Sequence, residues 1–308
     1  MAYKILISDK IEKNCLEIFQ LHSFPYDEKT GLKEDELTSI IGGYSGLLVR
    51  SATKVTRAVL EAGKKGELKV VGRAGAGVDN IDVEAANMLG IKVINTPGLN
   101  ANAVAELSIA YCFILARNLG YALSSTREGL WEKKKFNGTE LMGKTLGLVG
   151  FGHIGRLVAQ KAHGLGMKVL AYDPEVPADL IQKFGSYPVK LETVFKESDF
   201  ISLHLPVDNS TKGMINEKVL KTFKKGAFLI NCARGPLVDE DALHKALVDG
   251  TLGGAAVDVF IKEPPGETPL LKLPNFVASP HIGAATIEAQ VAVAKQVAEL
   301  VVEYLKSL

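Results

Sequence analysis

Three glycines in Gly150-Phe151-Gly152-His153-Ile154-Gly155 follow the apolar run Thr145–Val149 and open a helical pattern that reaches about Leu165. A second apolar run, Lys168–Tyr172, ends in Asp173, eighteen residues after Gly155. Strand, glycine turn, helix, strand and acid, in that order, is the pattern of a dinucleotide site. Gly150 allows the tight turn, Gly152 lets the backbone approach a pyrophosphate, and Gly155 lets the helix pack closely on the strand. The helix N-terminus adds free N–H groups and a positive dipole end. A purely structural turn or a methyltransferase-type loop is the alternative. Asp173 can accept from both ribose hydroxyls and would repel a 2′-phosphate, and Pro174 brings no compensating charge, so NAD is expected rather than NADP. His153 and Ile154 lie between the second and third glycines; His153 either touches phosphate or stands solvated.

Three polar residues follow later apolar runs: Arg234 after Ala227–Asn231, Glu263 after Gly254–Val257, and His281 after Phe276–Ser279. In open α/β sheets ligands collect at the carboxyl ends of strands, so these side chains are expected to share one crevice. Together they suit hydride chemistry on a 2-hydroxy acid. Arg234 would clamp a carboxylate through its planar fork and polarise the C2 oxygen. His281 would take the hydroxyl proton or return it, and Glu263 would orient the imidazole. Taken singly, each has an ordinary reading as a surface ion pair, a loop carboxylate or a capping residue. Downstream of a dinucleotide loop, the combination outweighs them.

The elements that must position these groups alternate through the chain. Lys4–Ile7, Gly46–Val49, Lys69–Val71 and Lys92–Ile94 read as strands, followed by Thr145–Val149, Lys168–Tyr172, Phe200–Leu203, Ala227–Ile230, Gly254–Val257 and Phe276–Ala278. Amphipathic segments separate them, which argues for parallel βαβ units and an α/β fold. With 308 residues, two domains and two sheets are expected. Turn clusters at 95–98, before a helix from about Asn102 to Arg117, and at 279–283, before a last helix from about Thr286 to Tyr304, are candidate hinges.

Composition narrows the partners. Hydrophobic residues make up 47% and charged residues 23%, and the net charge is +1, so no overall field favours nucleic acid or an anionic membrane. Cys15, Cys112 and Cys232 are far apart and odd in number, which builds neither a disulfide framework nor a metal site and fits a reducing cytoplasm. The first strand is expected to end at Asp9 and Lys10, before a signal-peptide core could form. The most apolar long window, Ala101–Ala116, is interrupted by Glu106 and is expected to be a buried helix, not a membrane span.

The stretches GLVGFGHIG (147–155), INCARGPLVD (230–239), AVDVF (256–260) with Glu263-Pro264, and SPHIG (279–283) together resemble the D-isomer-specific 2-hydroxyacid dehydrogenases. The resemblance implies a Rossmann-type NAD-binding domain at 98–284 and a smaller flavodoxin-like substrate domain at 1–97 with 285–308. It implies that Arg234, Glu263 and His281 are the catalytic residues and that Asp258 meets the nicotinamide amide. Asp173 would hold the adenosine ribose, with Leu205, Pro206, Cys232, Ala233 and Gly283 also lining the cofactor pocket.

VRSATK (49–54), GRAGAGVDN (72–80) and WEKKKF (131–136) are most similar to the branch of that family acting on 3-phosphoglycerate. This implies carboxylate binding by N–H groups around Gly75, Ala76 and Gly77, with Arg50, Ser51 and Arg73 nearby. Lys133 would be a further phosphate contact, although a lysine run is more often a solvated face. The family's fold would place the region from about 102 to 143 at a two-fold homodimer interface, with a tetramer as the alternative. A short form without an appended regulatory domain is expected. A reductase of smaller, unphosphorylated 2-oxo acids and a cofactor-sensing interaction protein remain open on the same residues.

Overall fold

The computed structural model describes residues 3–308, which form two compact units, one running to Asn100 and taking in Ala284–Leu308, the other Ala101–Gly283. The first unit holds strands β1 (Ile5–Ile7), β2 (Tyr26–Glu28), β3 (Gly46–Val49), β4 (Val70–Arg73) and β5 (Lys92–Asn95). All pair in parallel, in the order β2-β1-β3-β4-β5. That is the flavodoxin-like order. Strands buried on both faces read as continuous apolar runs, as Ile5–Ile7 and Gly46–Val49 do. β2 gave no such signal, because it is a three-residue edge strand carrying Asp27 and Glu28.

The last helix, Ile287–Lys306, belongs to this unit. It buries Val293, Val297, Val301 and Leu305 at the four-residue spacing of one helix face. Glycine at 72 in β4 admits that face: a Cβ there would lie 2.8 Å from Val301 Cγ2. Thr286 caps the helix by accepting from the Ala289 N–H at 3.2 Å.

The second unit holds β6 (Thr145–Val149), β7 (Lys168–Tyr172), β8 (Tyr187–Pro188), β9 (Phe200–Leu203), β10 (Ala227–Asn231), β11 (Leu252–Val257) and β12 (Phe276–Ala278). Its seven strands run in parallel in the order β12-β11-β10-β9-β6-β7-β8. Strand order reverses between β6 and β9, so the carboxyl ends of these two strands flank the position where such sheets bind ligands. β8 escaped the sequence reading because it has two residues, one of them a proline tolerated only at an edge.

The helix Ala101–Arg117 packs against the helix His153–Gly164, which follows the glycine turn. Ala105, Cys112, Leu115, Val158, Ala159 and Ala162 share one buried cluster there. Among the described residues no single helix is long and apolar enough to cross a membrane; Ala101–Arg117 and the next helix, Leu119–Arg127, meet at a 68° bend.

Candidate active site

The glycine turn joins β6 to its helix at the strand reversal. Gly150 has φ +102°, and a Cβ on it would lie 2.5 Å from the His204 carbonyl oxygen, at the end of β9. A Cβ on Gly155 would lie 2.3 Å from the Gly150 carbonyl oxygen, whereas Gly152 faces open space. Two glycines are therefore needed for packing, and the third leaves room for a phosphate group. His153 is exposed at the first turn of the helix and Ile154 packs into the core. Asp173 follows β7; its Oδ2 accepts from the Phe151 N–H at 2.6 Å and its Oδ1 from the Glu175 N–H at 2.9 Å. This carboxylate thus ties the glycine turn to the end of β7. The cradle and acid fit a dinucleotide.

Leu205 and Pro206 continue from His204. Burial pushes the His204 imidazole down from 6.5 to about 4, and its Nε2 lies 3.0 Å from Ser202 Oγ. The ring is therefore neutral near pH 7, and an unfolded chain would regain the ordinary value. Between those two values the unfolded state binds more protons, so this contribution to stability is complete above about pH 6.5 and is lost as pH falls toward about 4. Thermal unfolding should show a falling midpoint over that interval. His204→Gln should flatten that limb, and an unchanged limb would exclude His204 as its source.

Arg234 follows β10 in extended conformation; its Nη1 donates to the Ala233 carbonyl at 2.7 Å, and its own carbonyl accepts from Asn231 Nδ2 at 2.8 Å. Gly235 is pressed onto the next turn, where a Cβ would lie 2.0 Å from the Phe260 carbonyl carbon. The Phe260 N–H donates to Glu263 Oε1 at 3.1 Å, and Glu263 Oε2 lies 2.7 Å from His281 Nδ1. Three turns after β10, β11 and β12 are thereby linked in series. A carboxylate only accepts, so Nδ1 carries the proton and Nε2 is left for chemistry. Glu263, His281 and the apolar side chains of Phe260, Pro264, Leu271 and Pro280 line one cavity of about 390 Å³. Burial pushes the Cys232 thiol up to about 12, so it is no nucleophile at neutral pH.

Asp258 is buried, and its Oδ1 and Oδ2 accept from the N–H groups of Ile282 at 2.8 Å and Gly283 at 2.6 Å. The carboxylate and the Gly283 amide are thus bonded to each other. In the first unit, the Gly75 N–H donates to Thr96 Oγ1 at 2.9 Å. Gly75 has φ +139°, and a Cβ on it would lie 1.6 Å from Arg73 Nη1. The Ala76 carbonyl accepts from Asn95 Nδ2 at 2.6 Å, and Gly77 is half-buried beside it. Buried Asp9 fixes the Arg50–Thr53 turn by accepting from the Arg50 N–H at 2.6 Å and the Thr53 hydroxyl at 2.7 Å. Sequence reasoning passed over Asp9. Ser51 and Lys133 are exposed. Among the described residues no group of three or more His, Cys, Asp or Glu could hold a metal ion.

A family model described as "D-isomer specific 2-hydroxyacid dehydrogenase, NAD binding domain" matches residues 109–283. The hydroxypyruvate reductase of Thermotoga maritima is 47% identical over 292 residues, covering 94% of each chain. The D-3-phosphoglycerate dehydrogenase of Homo sapiens is 45% identical over 303 residues, covering 98% of this chain and 56% of that one. The chain thus spans about half the length of the curated phosphoglycerate dehydrogenases of Homo sapiens and Methanocaldococcus jannaschii. Among solved structures, the NAD⁺-bound 3-phosphoglycerate dehydrogenase of Entamoeba histolytica superposes with a TM-score of 0.84 at 30% identity, covering 99% of this chain and 96% of that one.

Proposed function

Because this chain belongs to the D-isomer specific 2-hydroxyacid dehydrogenases, with residues 109–283 matching the NAD-binding domain, we propose that it interconverts 3-phosphoglycerate and 3-phosphohydroxypyruvate, the first step of phosphorylated serine biosynthesis. The observation that carries the dehydrogenase reading is the Glu263–His281 pair at 2.7 Å, linked through Phe260 to the turn of Arg234. Bound NAD supplies the two-electron acceptor for the C2 hydrogen, and NADH the donor in the reverse direction. His281 Nε2 takes the C2 hydroxyl proton as the C2–H bond breaks and the C2=O bond forms. Glu263 holds Nδ1–H, which keeps the ring in the receiving tautomer and stabilises the imidazolium it becomes. Arg234 pairs with the substrate carboxylate and the C2 oxygen.

The phosphorylated substrate is supported by the named relatives and by cations beyond Arg234, namely Arg50, Arg73 and Lys133. A second reading, reduction of hydroxypyruvate, is favoured by the relative that matches this chain along 94% of both lengths. Comparing kcat/KM for 3-phosphohydroxypyruvate and hydroxypyruvate by NADH absorbance decides between them. Arg50→Ala should weaken use of the phosphorylated acid by roughly 1.5–3 kcal/mol, the range for charge-assisted hydrogen bonds. Use of the unphosphorylated acid should change far less. Equal losses would assign Arg50 to the carboxylate or to the fold.

NAD should be preferred over NADP, because the Asp173 carboxylate opposes a 2′-phosphate. Asp173→Ala should narrow the ratio of the two kcat/KM values, and equal use of both cofactors by the unaltered enzyme would contradict the assignment. We assign a homodimer interface to the segment that exposes Tyr121, Leu123, Leu130, Trp131 and Met142, with Trp131 86% exposed. Sedimentation of Trp131→Glu tests it. The proposed location is the cytoplasm, in keeping with three buried free thiols.

A further inference from the structure

His281 is held in an uncommon backbone conformation, with φ +55°. A non-glycine residue in the left-handed region persists only where its surroundings over-determine it. Here the turn is fixed on both sides. Before it, the Ser279 N–H donates to the Val257 carbonyl at 3.0 Å, and the His281 N–H donates to the Ser279 carbonyl at 3.1 Å. After it, Asp258 takes the N–H groups of Ile282 and Gly283. Asp258 is in turn bonded by the Ser279 hydroxyl, and Ser279 Oγ by the Tyr111 hydroxyl, which also lies 3.2 Å from the Val257 carbonyl. Tyr111 is buried and reaches this turn from the helix Ala101–Arg117. Ser279 donates to the carboxylate, which also accepts from the two amides, while the Tyr111 hydroxyl donates to the Val257 carbonyl and pairs with Ser279 Oγ.

We propose that Tyr111 and Ser279 are positioning residues: through Asp258 they hold the turn that aims the His281 imidazole. The inference rests on His281 being the proton carrier. Nothing in that role requires Tyr111, which lies 170 residues earlier in the chain. Its hydroxyl is nonetheless the far end of the only chain of side-chain hydroxyls that meets Asp258 among the described residues. A hydroxyl pair ending on a buried carboxylate gives that carboxylate one fixed orientation, which in turn fixes where two backbone amides can lie.

The test uses Ser279→Ala, Ser279→Thr and Tyr111→Phe, and leaves Asp258, an expected cofactor contact, unaltered. In the cofactor-free protein, hydrogen exchange at the Ile282 and Gly283 amides should speed up about tenfold or more in Ser279→Ala, with exchange in the strands unchanged. With cofactor, kcat for 2-oxo acid reduction should fall about tenfold, since misplacing a reacting group costs rate, while KM for NADH stays within about twofold. Ser279→Thr, which keeps the hydroxyl, should restore both readouts, and Tyr111→Phe should shift both in the same direction by a smaller factor. Unchanged exchange at the two amides in Ser279→Ala would overturn the brace. Faster exchange with unaltered kcat would overturn its link to His281. If the unaltered chain reduces no 2-oxo acid, the proposed function fails instead, and the amide exchange still reports on the brace.

Discussion

His281→Ala should lower kcat/KM for the 2-oxo acid by about 10²–10⁴-fold, the usual contribution of general acid–base catalysis. The reason lies in the pairing of the ring. Glu263 Oε2 sits 2.7 Å from Nδ1, so the other nitrogen is the one left to exchange a proton with substrate. Reduction consumes the proton carried by the imidazolium, oxidation needs the neutral ring, and His281→Ala deletes the carrier for both directions. Glu263→Gln should cost less, since the amide oxygen can still accept from Nδ1–H, and Glu263→Ala should cost more than Glu263→Gln. The measurement is kcat/KM in both directions for each variant, with circular dichroism to establish folding. His281 is about half exposed and its side chain has no role in the core, so loss of fold is not expected. A folded His281→Ala chain with near-full turnover would refute the mechanism.

Residues that pack were legible in the sequence, and residues that hold other residues in place were not. β6 and β9 are read at once, because strands covered on both faces are near-continuous apolar runs, broken here only by the small Thr145 and Ser202. The glycine turn is read as well, since Gly150 and Gly155 each exclude a Cβ that would strike backbone. β2 and β8 were missed, being edge strands of three and two residues with polar or proline positions. Arg234, Glu263 and His281 were singled out because each follows an apolar run that ends at the same side of a parallel sheet. The bonds of Asp258 to the Ile282 and Gly283 amides left no signal, because they depend on how the turn after β12 folds back. Tyr111 left no trace at all. It sits in an apolar helical stretch, where a tyrosine reads as core, and its partner Ser279 is 168 residues away.

Gly235→Ala should reduce kcat/KM about as severely as Arg234→Ala, although it removes nothing and adds one methyl group. A Cβ at that position would stand 2.0 Å from the Phe260 carbonyl carbon, 2.1 Å from its oxygen and 2.5 Å from the Ile261 nitrogen. All three are backbone atoms, so no side chain can rotate away to admit it. The turn after β11 is also fixed by others: the Ile261 N–H donates to Glu240 Oε1 at 2.9 Å, and the Phe260 N–H to Glu263 Oε1 at 3.1 Å. Relief must therefore come from separating the Arg234 turn from the Glu263 turn. That displacement moves the guanidinium relative to the Glu263–His281 pair, and a misplacement of about 1 Å costs on the order of 10²-fold in rate. Overpacking should also lower stability, by roughly 1–3 kcal/mol. The two effects are separable. Activity is measured well below the melting temperature of the variant, so that every chain is folded, and NADH affinity is measured by fluorescence, since the glycine turn at 150–155 is far along the sheet order from β11. The expected pattern is a large loss in kcat/KM for the 2-oxo acid, NADH affinity within about threefold of the unaltered chain, and a lowered melting temperature. Gly235→Ala at full activity would mean that the Arg234 and Glu263 turns can part without consequence, and the serial linkage of the three turns would then have no part in the chemistry.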